Sequence, residues 1–137
     1  MTSFPLKIVT PDDGIQFDGE AEELLVRTIC GDVVIMAKHI NYVAPLGMGE
    51  AVVQIDGVKR YAACIGGMVS VTDGHVMLVP TTFEWAEQID VDRAEAADHR
   101  AHEILDDVES KELDIRLAQA MLKRALIRKN VAAHKPK

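Results

Sequence analysis

The residues of this chain best suited to chemistry are four arginines in its last third, and the chemistry they suit is holding an anion. Arg93 and Arg100 are seven residues apart, and Arg124 and Arg128 are four apart. Both spacings put a pair on one side of a helix. If two such helices run antiparallel about a turn near residue 110, Arg93 comes near Arg128 and Arg100 comes towards Arg124. Guanidinium groups gathered this way repel one another, and charge-assisted hydrogen bonds to a polyanion relieve that repulsion, phosphate being the natural candidate. Glu84 and Asp90 flank the set. Carboxylates do not accept phosphate, but they can receive the amino group of a base or orient the arginines, which favours a nucleotide over inorganic phosphate. The competing reading is that the arginines are solvated and paired with neighbours such as Asp92 or Glu103, as surface charges commonly are.

Other chemistries find less support. The histidines at 39, 75, 99, 102 and 134 form no metal-ligand pattern, and Cys30 and Cys64 have neither a CxxC partner nor zinc spacing, so they read as reduced, unlinked thiols. No GxxxxGK[ST] loop or GxSxG elbow occurs, and no nucleophile has a base placed beside it. A small β-barrel enzyme with a helical appendage would have only His39 and Cys64 to work with.

The arginines need helices, and the chain changes period where they begin. From Ile89 the apolar residues recur at about 3.6, and neither Gly nor Pro intervenes before Pro136, so helix can run without a breaker. Asp90 is placed to cap the first helix, with Asp92 in its first turn and Val91, Ala94, Ala97, Ala101, Leu105 and Val108 as its apolar stripe. Asp106 to Glu112 reads as the turn, and Leu113, Leu117, Ala120 and Met121 as one side of a second, antiparallel helix. So much of the stripe is alanine that packing is weak, about several kcal/mol before entropy. A ligand or partner of similar strength is then able to decide which arrangement of the hairpin dominates, although a permanently docked hairpin fits the composition equally well.

Before Ile89 the alternation is that of strands: Leu6 and Ile8, Leu24 and Val26, Val33 and Ile35, Val52 and Gln54, Met68 with Ser70 and Thr72, Val76 and Leu78. Asp56-Gly57 and Asp73-Gly74 mark two-residue hairpin turns that need positive φ at both centres. Gly66-Gly67 reads as a place where backbones approach closely rather than as a phosphate cradle. The expected architecture is α+β: an antiparallel β-sandwich or flattened barrel over 1–86, then an antiparallel two-helix hairpin over 87–137.

At 137 residues there is room for one domain with an appendage. No apolar run approaches the roughly 20 residues of a membrane helix, and the start Met1-Thr2-Ser3-Phe4-Pro5-Leu6-Lys7 is unlike a secretory signal, so a soluble, cytosolic protein is expected. A net charge of -7 argues against nucleic acid as a partner. Its distribution is uneven: residues 1–86 hold five Lys/Arg and eleven Asp/Glu, whereas residues 115–137 hold seven Lys/Arg and no acid. A basic end on an acidic body is more than a helix dipole requires, and it points to an acidic partner surface or a bound anion.

Together these residues resemble the epsilon subunit family of bacterial F-type ATP synthase over nearly the whole chain. Leu6-Lys7-Ile8-Val9-Thr10-Pro11 and Phe17-Asp18-Gly19 are similar to its opening strand and aromatic-x-Gly step. Gly31-Asp32 through His39 resembles its Gly-acid segment leading to a loop histidine, and Ile65-Gly66-Gly67-Met68 its paired glycines. Ile89-Asp90-Val91-Asp92-Arg93-Ala94 fits its Ile/Leu-Asp-x-x-Arg-Ala nucleotide motif, the most specific of these anchors. The loop departs from the pattern: many members read Pro-Gly-His-Ala-Pro where this chain reads Ala37-Lys38-His39-Ile40-Asn41.

The resemblance implies a non-catalytic subunit whose sandwich seats on the gamma subunit and the c-ring, with Asp32 and His39 at that rotor interface. It implies helices that either fold down or extend along gamma towards the alpha and beta subunits, where they block ATP hydrolysis. It implies ATP as a regulatory ligand held by Glu84, Asp90, Arg93, Arg100, Arg124 and Arg128, with no required cofactor, or else a purely structural coupling subunit whose ATP binding is vestigial. The location it implies is peripheral, on the cytoplasmic side of the bacterial plasma membrane.

Overall fold

The computed structural model describes residues 2–135 and divides into two compact units, Met1–Trp85 and Ala86–Lys137. The first unit holds ten strands: β1 (Phe4–Thr10), β2 (Gly14–Ala21), β3 (Glu23–Thr28), β4 (Gly31–Met36), β5 (Tyr42–Pro45), β6 (Met48–Ile55), β7 (Val58–Ile65), β8 (Met68–Thr72), β9 (His75–Val79) and β10 (Thr82–Trp85). They form two five-stranded sheets, ordered β2-β1-β9-β8-β5 and β10-β7-β6-β3-β4. The sandwich is antiparallel as expected, apart from the β1–β9 pair, which runs parallel.

Alternation along each strand supplies the core. Leu6, Ile8, Leu24, Val26, Ile35, Val53, Val69, Val71 and Leu78 are fully buried, each contributing about 1.5–3 kcal/mol relative to exposure. In β6 and β8 the expected set takes the outer face: Ala51 and Val53 point inward rather than Val52 and Gln54, and Val69 and Val71 rather than Met68, Ser70 and Thr72. A period of two defines two faces but does not say which one meets the opposite sheet.

Both Asp-Gly turns form as read. Asp56 and Gly57 have φ of 51° and 78° and join β6 to β7; Asp73 and Gly74 have φ of 50° and 81° and join β8 to β9. At Gly67, φ is 96° and an added Cβ would collide with the Val79 carbonyl oxygen and sit 2.6 Å from Pro80 Cα. The paired glycines therefore permit close backbone approach.

The second unit begins with a 3₁₀ turn, Ala86–Gln88, followed by α1 (Val91–Asp106) and α2 (Glu112–Ala132). The connection at 107–111 is short, which makes the helices antiparallel neighbours. Their seam is narrower than the apolar stripes predict. Ala94 and Ala101 are the buried residues of α1, and Ala118, Ala125 and Ala132 are buried on α2 together with Val131. On each helix these alanines are seven apart, the spacing that keeps one line of small residues against the partner. The bulkier expected residues lie off that line: Val91, Leu113 and Leu117 are 38%, 67% and 58% exposed, and Val108 falls beyond the end of α1 at 98%. Among the described residues no helix is long and apolar enough to cross a membrane.

Candidate functional site

The site is built from the alanine seam outward. Successive residues of an α-helix turn by about 100°, so a side chain one position before a seam alanine lies about 100° to one side of the seam. Arg93 precedes Ala94, Arg100 precedes Ala101 and Arg124 precedes Ala125. Arg128, three positions after Ala125, lies about 60° to the same side. On the other side stand Glu95 and Asp98, one and four positions after Ala94, and Lys129, four after Ala125. The helices of an antiparallel pair present equivalent sides to the same flank, and the contacts agree. Lys129 Nζ donates to Asp98 Oδ2 at 2.9 Å and lies 3.2 Å from Glu95 Oε1. One flank of the hairpin therefore carries the ion-paired residues, and the opposite flank carries the four arginines.

The same contacts fix the level of one helix against the other. Lys129 meets residues 95 and 98, so in an antiparallel pair Arg124 is level with residues 100–103, beside Arg100, as the spacing argument expects. Arg128 is level with residues 96–99, so it stands between Arg93 and Arg100 rather than directly opposite Arg93.

Arg93 and Arg100 are exposed, while Arg124 and Arg128 are half-buried. The side chains of Arg93, Arg100 and Arg124 have no hydrogen-bond or ion-pair partner among the described residues, whereas Arg128 makes an interaction. Pairing of the first three with Asp92 or Glu103 is not formed, while the exposure of Arg93 and Arg100 agrees with solvation. Asp90 caps α1, its Oδ1 accepting from the Arg93 backbone N–H at 3.1 Å. It orients Arg93 through the main chain, fixing where that side chain leaves the first turn. Glu84 belongs to the first unit, on β10 opposite Ala63.

The two residues that the resemblance implies at a rotor interface, Asp32 and His39, both belong to the first unit. Asp32, on β4, is engaged by Arg27 of β3 in a two-point fork, Nε to Oδ1 at 2.9 Å and a second guanidinium nitrogen to Oδ2 at 3.2 Å. That hydrogen bonding holds the Asp32 carboxyl below and the Arg27 guanidinium above their ordinary values. Glycine at 49 leaves room for the arginine, because a Cβ there would lie 2.8 Å from Arg27 Cβ. His39, in the loop between β4 and β5, has Nδ1 2.8 Å from the Ile40 carbonyl oxygen and stands edge-on to Tyr42. The neighbouring Lys38 has φ of 66°, a left-handed conformation that favours glycine.

Chemistry at the rival pair is weak. Cys64 is buried on β7, and burial pushes its thiol up to about 12, leaving almost no thiolate at neutral pH. Among the described residues no group of three or more His, Cys, Asp or Glu is placed to hold a metal ion.

Sequence reasoning passed over Lys129, Asp98 and Glu95, and weighed His102 only as a metal ligand, whereas its Nε2 lies 3.0 Å from Asp98 Oδ1. The Asp98–His102 spacing of four was a visible signal. The contact of Lys129 across the hairpin depends on a level that the sequence leaves open.

Comparison with known proteins places both units in one family. Residues 3–86 match the model of the ATP synthase delta/epsilon chain beta-sandwich domain, and residues 87–133 match that of the ATP synthase delta/epsilon chain long alpha-helix domain. The ATP synthase epsilon chain of Shouchella clausii is 38% identical over 135 residues, covering 98% of each chain. That of Bacillus licheniformis is 39% identical over 132 residues, covering 96% of this chain and 99% of the relative. Among solved structures, a chain of the Euglena gracilis mitochondrial ATP synthase OSCP/F1/c-ring assembly matches with a TM-score of 0.82 at 21% identity, over 98% of this chain and 83% of that one. A chain of the Tetrahymena thermophila mitochondrial ATP synthase central stalk/c-ring matches at 0.60 and 15% identity, over 93% and 95%. These two likenesses concern the fold.

Proposed function

The chain belongs to the ATP synthase delta/epsilon family, and from that premise we propose that it is the epsilon-type subunit of the central stalk, coupling gamma to the c-ring through its sandwich and restraining ATP hydrolysis through a hairpin whose compact state ATP stabilises. It contributes no catalytic residue. The observation that carries the regulatory part is the segregation of charge on the hairpin. Arg93, Arg100 and Arg124, without partners of their own among the described residues, share one flank with Arg128, while the carboxylates facing Lys129 are on the other. Guanidinium groups gathered on one flank, three of them without partners among the described residues, suit the phosphates of a nucleotide. ATP bridging both helices at 100 times its dissociation constant adds about 2.7 kcal/mol to the closed state, a sum that matters to a hairpin packed on alanine.

The coupling part is supported by the outer face of the β2-β1-β9-β8-β5 sheet. Val43, Met68 and Met77 are 65%, 44% and 44% exposed there. Strand register sets Val43 and Met77 on either side of Ser70, with Pro45 beside Met68 in the adjoining row. Contiguous exposed apolar residues of this kind mark a protein-docking surface, and gamma is the occupant this reading assigns to it. The complex would hold the chain at the cytoplasmic side of the membrane as a peripheral component.

A second reading has one observation in its favour: Lys129 ties the two helices directly to each other through Asp98 and Glu95, a link that would equally serve a hairpin closed at all times with vestigial ATP binding. Calorimetric titration of the full chain with ATP separates the two, alongside Arg93→Ala and Arg124→Ala. Saturable binding lost in both variants supports the clamp. No binding at millimolar ATP sinks the sensor and leaves a coupling subunit, whose restraint of hydrolysis is then read by comparing complexes carrying the full chain and residues 1–86.

A further inference from the structure

The seam, built mostly of alanine with Val131 at one end, sets its own register only weakly. Small residues give few interlocking contacts, and each buried alanine contributes little area to resist a slip or rotation of one helix on the other. The anion site is sensitive to such slips. Moving one residue along a helix shifts a side chain by about 1.5 Å and rotates it by about 100°, more than charge-assisted hydrogen bonds tolerate.

Lys129 strengthens the register. Its Nζ is 2.9 Å from Asp98 Oδ2 and 3.2 Å from Glu95 Oε1, and the other Asp98 oxygen is held by His102 Nε2 at 3.0 Å. The Asp98 and Lys129 side chains are only 14% and 28% exposed, so their pairing is better shielded from water than an ordinary surface bridge. Lys129 lies about 40° to one side of the seam, whereas Arg124 lies about 100° to the other. It therefore reaches the carboxylates of α1 and not an anion on the arginine flank.

We propose that Lys129 is a positioning residue for the anion site: by clamping α2 to Glu95 and Asp98 it sets the register that carries Arg124 level with Arg100 and Arg128 between Arg100 and Arg93. This inference rests on the nucleotide reading of the arginine flank. A charged side chain that specifies register on a helix interface is a known physical device.

The test uses the full chain in a Cys30→Ser background, with spin labels on Ala96→Cys and Lys123→Cys, two exposed positions on the outer backs of α1 and α2. Interspin distances report register, calorimetry reports ATP affinity, and circular dichroism reports helix content. Lys129→Met is expected to shift or broaden the distance distribution and to weaken ATP binding at least fivefold with helix content unchanged, while Lys129→Arg keeps both distance and affinity. The exchange Asp98→Lys with Lys129→Asp conserves net charge, so its recovery of affinity distinguishes register from a simple loss of positive charge. Lys129→Met within twofold of wild type in affinity overturns the inference, whether or not the distance moves. Absence of ATP binding by the wild-type chain overturns the nucleotide reading and the positioning role with it, whereas wild-type binding that is insensitive to Lys129→Met overturns the positioning role alone.

Discussion

Asp98 and Lys129 are the point at which the two helices of the hairpin are tied by charge, Oδ2 to Nζ at 2.9 Å across the alanine seam. Their hydrogen bond is the main reason that the Asp98 carboxyl lies below its ordinary value of 3.8 and the Lys129 ammonium above its ordinary 10.5. Glu95 adds to the second shift, and the charges of His102 and His99 add to the first.

The sign of the pH dependence follows from linkage. A depressed carboxyl contributes stability that is present above its unfolded value and is lost as pH falls through the folded one, and a raised ammonium contributes stability that is lost as pH rises through its folded value. The advantage of wild type over Lys129→Met in thermal unfolding should therefore shrink as pH falls below 3.8 and as it rises above 10.5, with the charge on His102 a smaller influence between them. An advantage that instead changes steadily across neutral pH would show that another group dominates.

Asp90→Ala should cost about 1 kcal/mol, because the first turn of α1 loses the side-chain acceptor of the Arg93 amide. Faster hydrogen exchange at that amide locates the effect, and Asp90→Asn, which still accepts, should recover most of it. Equal loss in the two variants would assign Asp90 a role through its charge rather than its cap.

Two glycines with positive φ should respond very differently to alanine. At Gly57 a Cβ meets nothing within 4 Å, so only the left-handed backbone is strained and the cost is about 1–2 kcal/mol. At Gly67 the same atom overlaps the Val79 carbonyl and Pro80, and the cost should exceed about 3 kcal/mol or prevent folding. Denaturant midpoints of the two variants order them, and equal midpoints would contradict the close approach.

Lys38→Gly should raise stability by up to about 1.5 kcal/mol. Lysine at φ of 66° carries the left-handed penalty of about 1–2 kcal/mol that glycine lacks, offset by about 0.5–1 kcal/mol for the more flexible unfolded chain. A fall in the denaturant midpoint would mean that the lysine side chain holds the loop in a way that outweighs its backbone strain.

Local chemistry in the sequence determined the elements of this protein and their ends. Asp56-Gly57 and Asp73-Gly74 need no partner to turn, Asp90 caps whatever helix follows it, and the change of period at Ile89 separates sheet from helix because each backbone imposes its own repeat. The arginine spacings of seven and four likewise determined that each pair shares a helical side. Tertiary structure decided which face of β6 and β8 is buried, since alternation is symmetric until the opposite sheet is in place. It also decided that alanines seven apart, rather than Leu113 and Leu117, form the helix seam. Above all it decided the level of α2 on α1, through a contact between Lys129 and residues more than thirty positions away. No residue carries that level in its own type, because register belongs to the pair of helices and exists only once they are packed.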